Sequence, residues 1–145
     1  MTRTQRLRPV VQHTDKKEQQ ALQAVAQSQA VLEGEQTRLT QLQDYKLEYL
    51  HKKKYDIGVF TPIELQEFNR FMQQLDETIE RQLGLVELRQ QELEHKRQQW
   101  TATRIDSKKM HKVVEKLQKQ EFVEQERKEQ KALDEFAQRN HQRRS

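Results

Sequence analysis

Apolar residues recur every seven positions in the second half of this sequence, through a stretch without proline. The series comprises Leu65, Met72, Ile79, Val86, Leu93 and Trp100. A straight α-helix has about 3.6 residues per turn, so a strict seven-residue repeat stays on one narrow seam only if the helix winds around a partner helix. A second seam line holds Phe68, Leu75, Met110 and Leu117, with Gln82, Arg89, Lys96 and Thr103 in its middle. The sequence therefore predicts a coiled coil.

The first half carries a thinner version of the same pattern. Its seam consists of Val25, Leu32 and Leu39 in one line and Ala21, Leu42 and Tyr49 in the other. The start of this helix is expected between Pro9 and Asp15. Proline suits the first helical turn because its missing N–H has no partner there, while Asp15 with Glu18 offers a capping box.

A break between the two patterns is predicted around Gly58, and a strong helix start follows it. Thr61 can cap the second helix, Pro62 takes its first position, and Glu64 completes the Thr-x-x-Glu capping box. A short loop folds two such helices back antiparallel. We expect one elongated all-α domain, an antiparallel coiled-coil hairpin whose second helix is the longer. Its parts are helix one at about 9–54, a loop at about 55–61 and helix two at about 62–139.

The hairpin would place Leu32 near Val86 and Val25 near Leu93. Helix one then ends opposite roughly Thr103 to Lys109, so the segment from about Met110 to Arg139 should overhang it. Apolar residues on such an overhang need burial elsewhere, which points to another protein.

Composition and motifs exclude most enzyme and membrane classes. Only 32% of residues are hydrophobic, none is cysteine, and no run approaches the length that spans a bilayer. The N-terminus lacks the apolar run of a secretory signal. The five histidines are scattered, and no phosphate-binding or nucleophile motif is present. We predict a non-enzymatic, cytoplasmic protein without a cofactor or a metal site.

Charge is unevenly placed along the chain. Residues 1–17 hold five basic and one acidic residue, residues 18–103 hold ten and fourteen, and residues 104–145 hold twelve and eight. A hairpin brings both basic ends together. The resulting positive pole would attract an acidic surface, whether protein, nucleic acid or phospholipid.

Four motifs, in order along almost the whole chain, resemble the FliJ family of the flagellar type III export apparatus. They are Arg6-Leu7-x-Pro9-Val10-Val11, then Leu39-x-x-Leu42-x-x-Tyr45-x-x-x-Tyr49, then Phe68-x-x-Phe71-x-x-x-Leu75-x-x-x-Ile79-x-x-Gln82 with Trp100 beyond it, and Glu129-Gln130-Lys131-x-Leu133-Asp134-Glu135-x-Ala137-x-Arg139. Each is weak alone because coiled coils imitate one another. Their order and spacing together carry the resemblance.

The resemblance implies a stalk like the two-helix coiled coil of a rotary-ATPase γ subunit. Both termini would enter the pore of the hexameric export ATPase and promote its assembly and activity, through Arg6, Leu7, Val10, Val11, Leu133, Asp134, Phe136, Ala137 and Arg139. The export gate would be bound by Phe71, Leu75, Thr78 and Gln82. Export chaperones are further implied partners, and the implied place is the cytoplasmic side of the inner-membrane export apparatus.

Other functions remain open on the sequence alone. The chain could be the stalk of a related virulence-type secretion system or a generic coiled-coil scaffold that self-associates, whereas the hairpin reading expects a monomer in dilute solution. A nucleic-acid binder could use the basic pole, but eight acidic residues lie among the basic ones of residues 104–145 and aromatic residues are few. The FliJ reading therefore predicts no nucleic-acid partner.

Overall fold

Two long α-helices make up the protein in a computed structural model that describes residues 2–54 and 60–144. α1 spans Arg3–Lys54 and α2 spans Pro62–Arg144. The helices pack against each other, which confirms the predicted all-α pair with the longer second helix. The predicted break around Gly58 falls at residues 55–59, outside the described residues.

The first helix begins at Arg3, well before the start predicted between Pro9 and Asp15, and Pro9 lies inside it. A capping box that the sequence analysis overlooked explains the difference. The Gln5 N–H donates to Thr2 Oγ1 at 3.2 Å, and the Thr2 N–H donates to Gln5 Oε1 at 3.1 Å. These bonds satisfy backbone donors that the first helical turn leaves free.

The second helix begins as predicted, with Pro62 in its first position. The Glu64 N–H donates to Thr61 Oγ1 at 3.3 Å, and the Thr61 N–H donates to Glu64 Oε2 at 3.4 Å. The Leu65 N–H completes the turn by donating to the Thr61 carbonyl at 3.0 Å. α2 ends at Arg144, a few residues beyond the predicted end near Arg139.

Buried and half-buried residues reveal the seam directly. They recur at alternating spacings of three and four residues from Thr4 to Lys53 in α1 and from Phe68 to Glu121 in α2. This spacing averages 3.5 residues per turn, which is the repeat of a left-handed coiled coil. Leu65 opens the seven-residue series in the sequence, but it is 48% exposed and precedes the packed part of the seam.

The chain divides into two compact units, each containing part of both helices. The terminal unit combines the chain up to Gln20 with the chain from Thr101 onwards, and the middle unit is Ala21–Trp100. Within each unit the two helices run antiparallel. The predicted single-domain organisation stays a prediction.

The apolar core of the middle unit lies where the predicted register put it. Leu32, Val86 and Leu93 form a buried cluster, and Val25 and Leu39 pack against it. A helix in a two-helix coiled coil faces solvent on all but one side, so among the described hydrophobic side chains only Leu32, Leu75, Val86 and Leu93 are almost completely removed from water. Burial of each large aliphatic side chain stabilises the fold by about 1.5–3 kcal/mol.

A buried polar layer in the middle unit fixes the register of the two helices. Gln82 is only 6% exposed. Its Nε2 donates to the Glu35 carboxylate at 2.7 Å and to the Glu35 backbone carbonyl at 3.0 Å. A shift of one helix along the other would leave these polar groups unpaired in the seam, which is costly.

A polar cluster holds the terminal unit together. Ser107 is 3% exposed, and its Oγ donates to Asp15 Oδ1 at 2.8 Å. His111 Nε2 lies 2.8 Å from the same carboxylate oxygen. The hydrogen bond from Ser107, and then that from His111, lowers the pKa of Asp15 below its ordinary value of 3.8.

Contact between the helices of the terminal unit extends further than predicted. The Thr4 N–H donates to Glu121 Oε1 at 3.1 Å, and Thr4 Oγ1 donates to Glu121 Oε2 at 2.9 Å. The prediction that the overhang starts at about Met110 is therefore wrong. Because α1 begins at Arg3, about two more turns of it pack against α2, as far as Glu121. Side chains are exposed throughout only from Phe122 to Arg144.

No helix in the described part of the chain is both long enough and apolar enough to cross a membrane.

We predict that Gly34→Ala and Gly84→Ala each raise the free energy of unfolding by about 0.5–1 kcal/mol, because glycine is a poor helix former. A methyl group at either position would meet no atom within 4 Å. Urea unfolding followed by circular dichroism measures the effect. Ala30→Gly, on an exposed face of α1, should show the opposite sign. Destabilisation by Gly34→Ala would contradict the regular helix at this position.

Asp15→Asn should remove a pH-dependent part of the stability. Because the folded state lowers the pKa of Asp15, its stabilisation is present above the ordinary pKa of 3.8 and is lost as pH falls through the folded-state value. The wild type should therefore be more stable than the variant at about pH 6, and the difference should shrink towards about pH 3 in chemical unfolding series. Ser107→Ala should lower the stability by a smaller amount with the same pH dependence, because His111 still bonds Asp15. A difference independent of pH would contradict the assignment.

Candidate protein-binding surfaces

The four residues matched to the gate-binding face divide into two pairs in the structure. Leu75 is 7% exposed and Gln82 is 6% exposed, and both lie in the seam against α1. Phe71 and Thr78 are half-buried at its edge. The division follows from helix geometry, because Phe71 and Thr78 each stand one position before a seam residue. Only this second pair keeps surface that a partner can touch.

Phe71 belongs to an aromatic cluster contributed by both helices. Its ring centroid lies 4.7 Å from that of Tyr49 and 6.3 Å from that of Tyr45, the latter in an edge-to-face arrangement. Tyr49 also stacks on Phe68 with centroids 5.4 Å apart. Such pairs stabilise by about 0.5–1.5 kcal/mol beyond their burial. The cluster holds the Phe71 ring in one orientation at the edge of the seam.

The side chain of Lys53 contacts the aromatic cluster at its end next to the predicted loop. Lys53 Nζ lies 4.4 Å from the ring centroid of Phe60 and 5.7 Å from that of Tyr49. Phe60 in turn lies 6.2 Å from Phe68. These contacts tie the end of α1 to the residue just before the Thr61 cap, since a cation over an aromatic face is attracted by its quadrupole.

Tyr45 is a surface residue that the sequence analysis did not assign to a site. It is 49% exposed and touches Phe71, so the two rings form one partly exposed aromatic surface. A usable signal was present in the sequence. Tyr45 lies four residues before the seam residue Tyr49, and Phe71 lies four before Leu75, so an antiparallel hairpin puts both on the same side of the seam.

The N-terminal residues matched to the ATPase-binding surface also differ in exposure. Arg6 and Val10 are exposed, with Val10 at 40%, while Leu7 and Val11 are half-buried seam residues. α1 therefore offers one basic and one apolar side chain outwards within a single turn. Leu7 and Val11 contribute to the packing of the terminal unit.

Every described side chain of the C-terminal tail, which we define as Phe122–Arg144, is exposed. The tail residues matched to the ATPase-binding surface lie here: Leu133, Asp134, Phe136, Ala137 and Arg139. Phe122 is 65% exposed, and Leu133 and Phe136 are each 64% exposed. Large apolar side chains this exposed on one helix are typical of a protein contact.

The tail does not continue the seam. The next seam positions after Glu121 would be Glu124, Lys128, Lys131 and Glu135. All four carry charge, so this stretch has no apolar layer of the kind that separates the charged seam positions before it. The exposed apolar residues of the tail are offset from these positions and lie on the other side of the helix. The coiled-coil pattern therefore ends near Glu121, and the apolar residues beyond it lie on a different face of α2.

The two units differ in formal charge. The terminal unit contains seventeen basic and ten acidic residues, a formal charge of +7, and the middle unit contains ten and thirteen, a formal charge of −3. The terminal unit contains both basic ends of the chain. Its field favours an acidic partner surface.

No group of three or more histidine, aspartate or glutamate side chains could hold a metal ion in the part of the chain that the structure describes. The polar clusters at Asp15 and Glu35 are instead contacts between the two helices.

Comparison with known proteins identifies the family. The family profile described as "Flagellar FliJ protein" matches residues 3–145, essentially the whole chain. Searches of curated proteins and of solved structures each found no significant match. The profile covers both helices, including the tail, and its family consists of coiled-coil proteins related to flagellar export. On this evidence the chain belongs to the FliJ family.

Proposed function

We propose that this protein is a non-enzymatic stalk of the flagellar export apparatus that inserts both of its ends into the hexameric export ATPase. The exposed apolar residues of the C-terminal tail are the observation that carries the proposal. An isolated helix gains little stability from Phe122, Leu133 and Phe136, whereas the pore of a protein ring can bury them. Insertion would promote assembly and activity of the ring.

The charge of the terminal unit supports the same partner. Its formal charge of +7 suits a pore lined by acidic and polar groups. Arg6 and Val10 on α1 and Arg139 on the tail are exposed and available for such contacts. In this proposal Leu7 and Val11 act mainly by holding the start of α1 against α2.

The second part of the proposal is a contact with the cytoplasmic domain of the export gate. Phe71 and Thr78 would touch the gate, and the exposed edge of Tyr45 extends the same surface. Leu75 and Gln82 would act indirectly by fixing the position of α2 on α1. Large aromatic side chains held rigidly at a surface often carry much of the binding energy.

Export chaperones are further proposed partners, and the protein would work on the cytoplasmic side of the inner membrane in peripheral association with the apparatus. We propose no nucleic-acid partner. In dilute solution the hairpin should be a monomer, because its own two helices bury the seam.

Deleting residues 123–145 should abolish stimulation of the export ATPase, because it removes most of the exposed tail and keeps the seam up to Glu121. Stimulation is measured as phosphate release by the ring. The double variant Leu133→Ser with Phe136→Ser should cause most of the same loss. Leu47→Ser is the matched control, since Leu47 is 65% exposed in the middle unit. Normal stimulation by the truncated protein would refute the tail assignment.

Phe71→Ala and Tyr45→Ala should each weaken binding of the gate domain by about tenfold, the scale of a strong aromatic contact. Leu75→Ala should instead lower the free energy of unfolding by about 2–5 kcal/mol, because Leu75 is buried in the seam. Calorimetric titration and urea unfolding measure the two effects. Unchanged gate affinity in both aromatic variants, with stable folds, would contradict the proposed contact.

A further inference from the structure

A pattern of alternating spacings runs along the C-terminal tail, on the face of α2 that points away from the seam positions. Starting at Phe122, the residues that share this face follow at steps of four, three, four, three and four. They are Phe122, Glu126, Glu129, Leu133, Phe136 and Asn140, and all six are exposed. We call this line of side chains the tail stripe.

The tail stripe is apolar at both ends. Phe122 lies at one end, with Val123 beside it. Leu133 and Phe136 lie towards the other end, with Ala137 beside them. Phe122 and Leu133 are separated along the helix axis by about 16 Å. A partner that buries both ends must therefore also cover the part of the stripe between them.

The middle of the tail stripe is acidic. Glu126 and Glu129 fill the two positions between Phe122 and Leu133, and no basic residue belongs to the stripe. Glu129 accepts a hydrogen bond from Gln125 Nε2 at 3.3 Å, which leaves its charge in place. The six residues of the stripe have a formal charge of −2, although the terminal unit as a whole has +7.

The basic residues of the tail do not neutralise these two glutamates. Lys128 and Lys131 occupy continued seam positions on the opposite face of α2. Arg127 lies at the edge of the stripe and lines the same surface depression as Glu126 and Glu129. Among the described residues, however, neither glutamate forms an ion pair with Arg127 or with any other side chain. Their charges are thus available to a partner.

We infer that the partner surface that covers the tail stripe carries a basic side chain, arginine or lysine, between two apolar contacts. The inference rests on the proposed insertion of the tail into the export ATPase ring, and it specifies the chemistry of the ring at that place. Burial of the apolar ends of the stripe also removes the carboxylates of Glu126 and Glu129 from water. A buried carboxylate without a positive partner is costly, so the covering surface has to supply the positive charge.

A second copy of the tail does not supply this charge. If two tails packed with their apolar ends matched, Glu129 of one copy would meet Glu129 of the other in a parallel and in an antiparallel arrangement alike. Like charges placed together across an interface are strongly unfavourable. The occupant of the stripe is therefore a different protein.

The two signs of charge in the terminal unit place different demands on the ring. The excess of basic residues on the rest of the unit favours a ring surface that is acidic overall. The tail stripe has the opposite sign and requires a local basic group within that surface. Experiment can separate the two demands, because acidic residues lie on both faces of the tail.

Paired glutamine substitutions test the inference. Glu126→Gln with Glu129→Gln removes both charges of the stripe, while each glutamine keeps an oxygen that accepts hydrogen bonds. The matched control is Glu124→Gln with Glu135→Gln, which makes the same change in net charge at exposed positions on the opposite face. Circular dichroism checks that each variant folds.

Stimulation of the purified export ATPase is measured as phosphate release against the concentration of the protein. We expect Glu126→Gln with Glu129→Gln to raise the concentration for half-maximal stimulation by at least about tenfold, because the basic group of the ring loses its partner. The control pair should change this concentration by less than about threefold, since its carboxylates lie outside the stripe. Glu126→Lys with Glu129→Lys should cause a larger loss than the glutamines, because it places like charges together.

Two results would overturn the inference and leave insertion of the tail in place. One is normal stimulation by Glu126→Gln with Glu129→Gln when Leu133→Ser with Phe136→Ser still loses it, which would show that the ring covers the stripe without a basic group. The other is equal weakening by the two glutamine pairs, which would show that only the net charge matters. Wild-type protein that fails to stimulate the ATPase would remove the proposed insertion and this inference together.

Discussion

The structure depends on one constraint, a seam that repeats every 3.5 residues on helices whose natural period is about 3.6. This seam extends without interruption from Thr4 to Lys53 and from Phe68 to Glu121. Because so few residues are fully buried, stability comes from many half-buried layers rather than from a compact core. The hydrogen-bonded pairs of Glu35 with Gln82 and of Asp15 with Ser107 help fix the register of the two helices, because few apolar layers do so. Each proposed function uses a surface that the seam leaves open.

Those surfaces arise in two different ways. In the middle unit, Tyr45 and Phe71 lie beside the seam, where their rings contact each other and stay partly exposed. In the terminal unit, charged residues replace the seam after Glu121, and the apolar residues of the tail move to another face of α2. Family membership places these features in a flagellar export protein. The physical logic is the same for both surfaces, since apolar side chains that the hairpin cannot bury are available to a partner.

Much of this architecture could be predicted from the sequence because its strongest signals are periodic. The seven-residue repeat predicted the hairpin and the cluster of Leu32 with Val86, and Thr61 with Glu64 predicted the start of α2. The predicted start of α1 was too late because Pro9 was read as a proline of the first helical turn. The capping box of Thr2 with Gln5 starts the helix before Pro9 instead. Exposure at the candidate sites could not be read from motifs. Leu75 and Phe71 belong to one motif, yet Leu75 lies on the seam and is buried. Phe71 lies one position before a seam residue and stays partly accessible.

The central claim is that the two helices of one chain pair antiparallel with Glu35 beside Gln82. Because the sequence contains no cysteine, the variant Glu35→Cys with Gln82→Cys can be treated with a short thiol-specific cross-linker and analysed by mass spectrometry after proteolysis. In dilute solution the account predicts a cross-link within one chain that joins the two positions. A cross-link between two copies at position 35, in the single variant Glu35→Cys, would indicate a parallel pairing of chains and contradict the account.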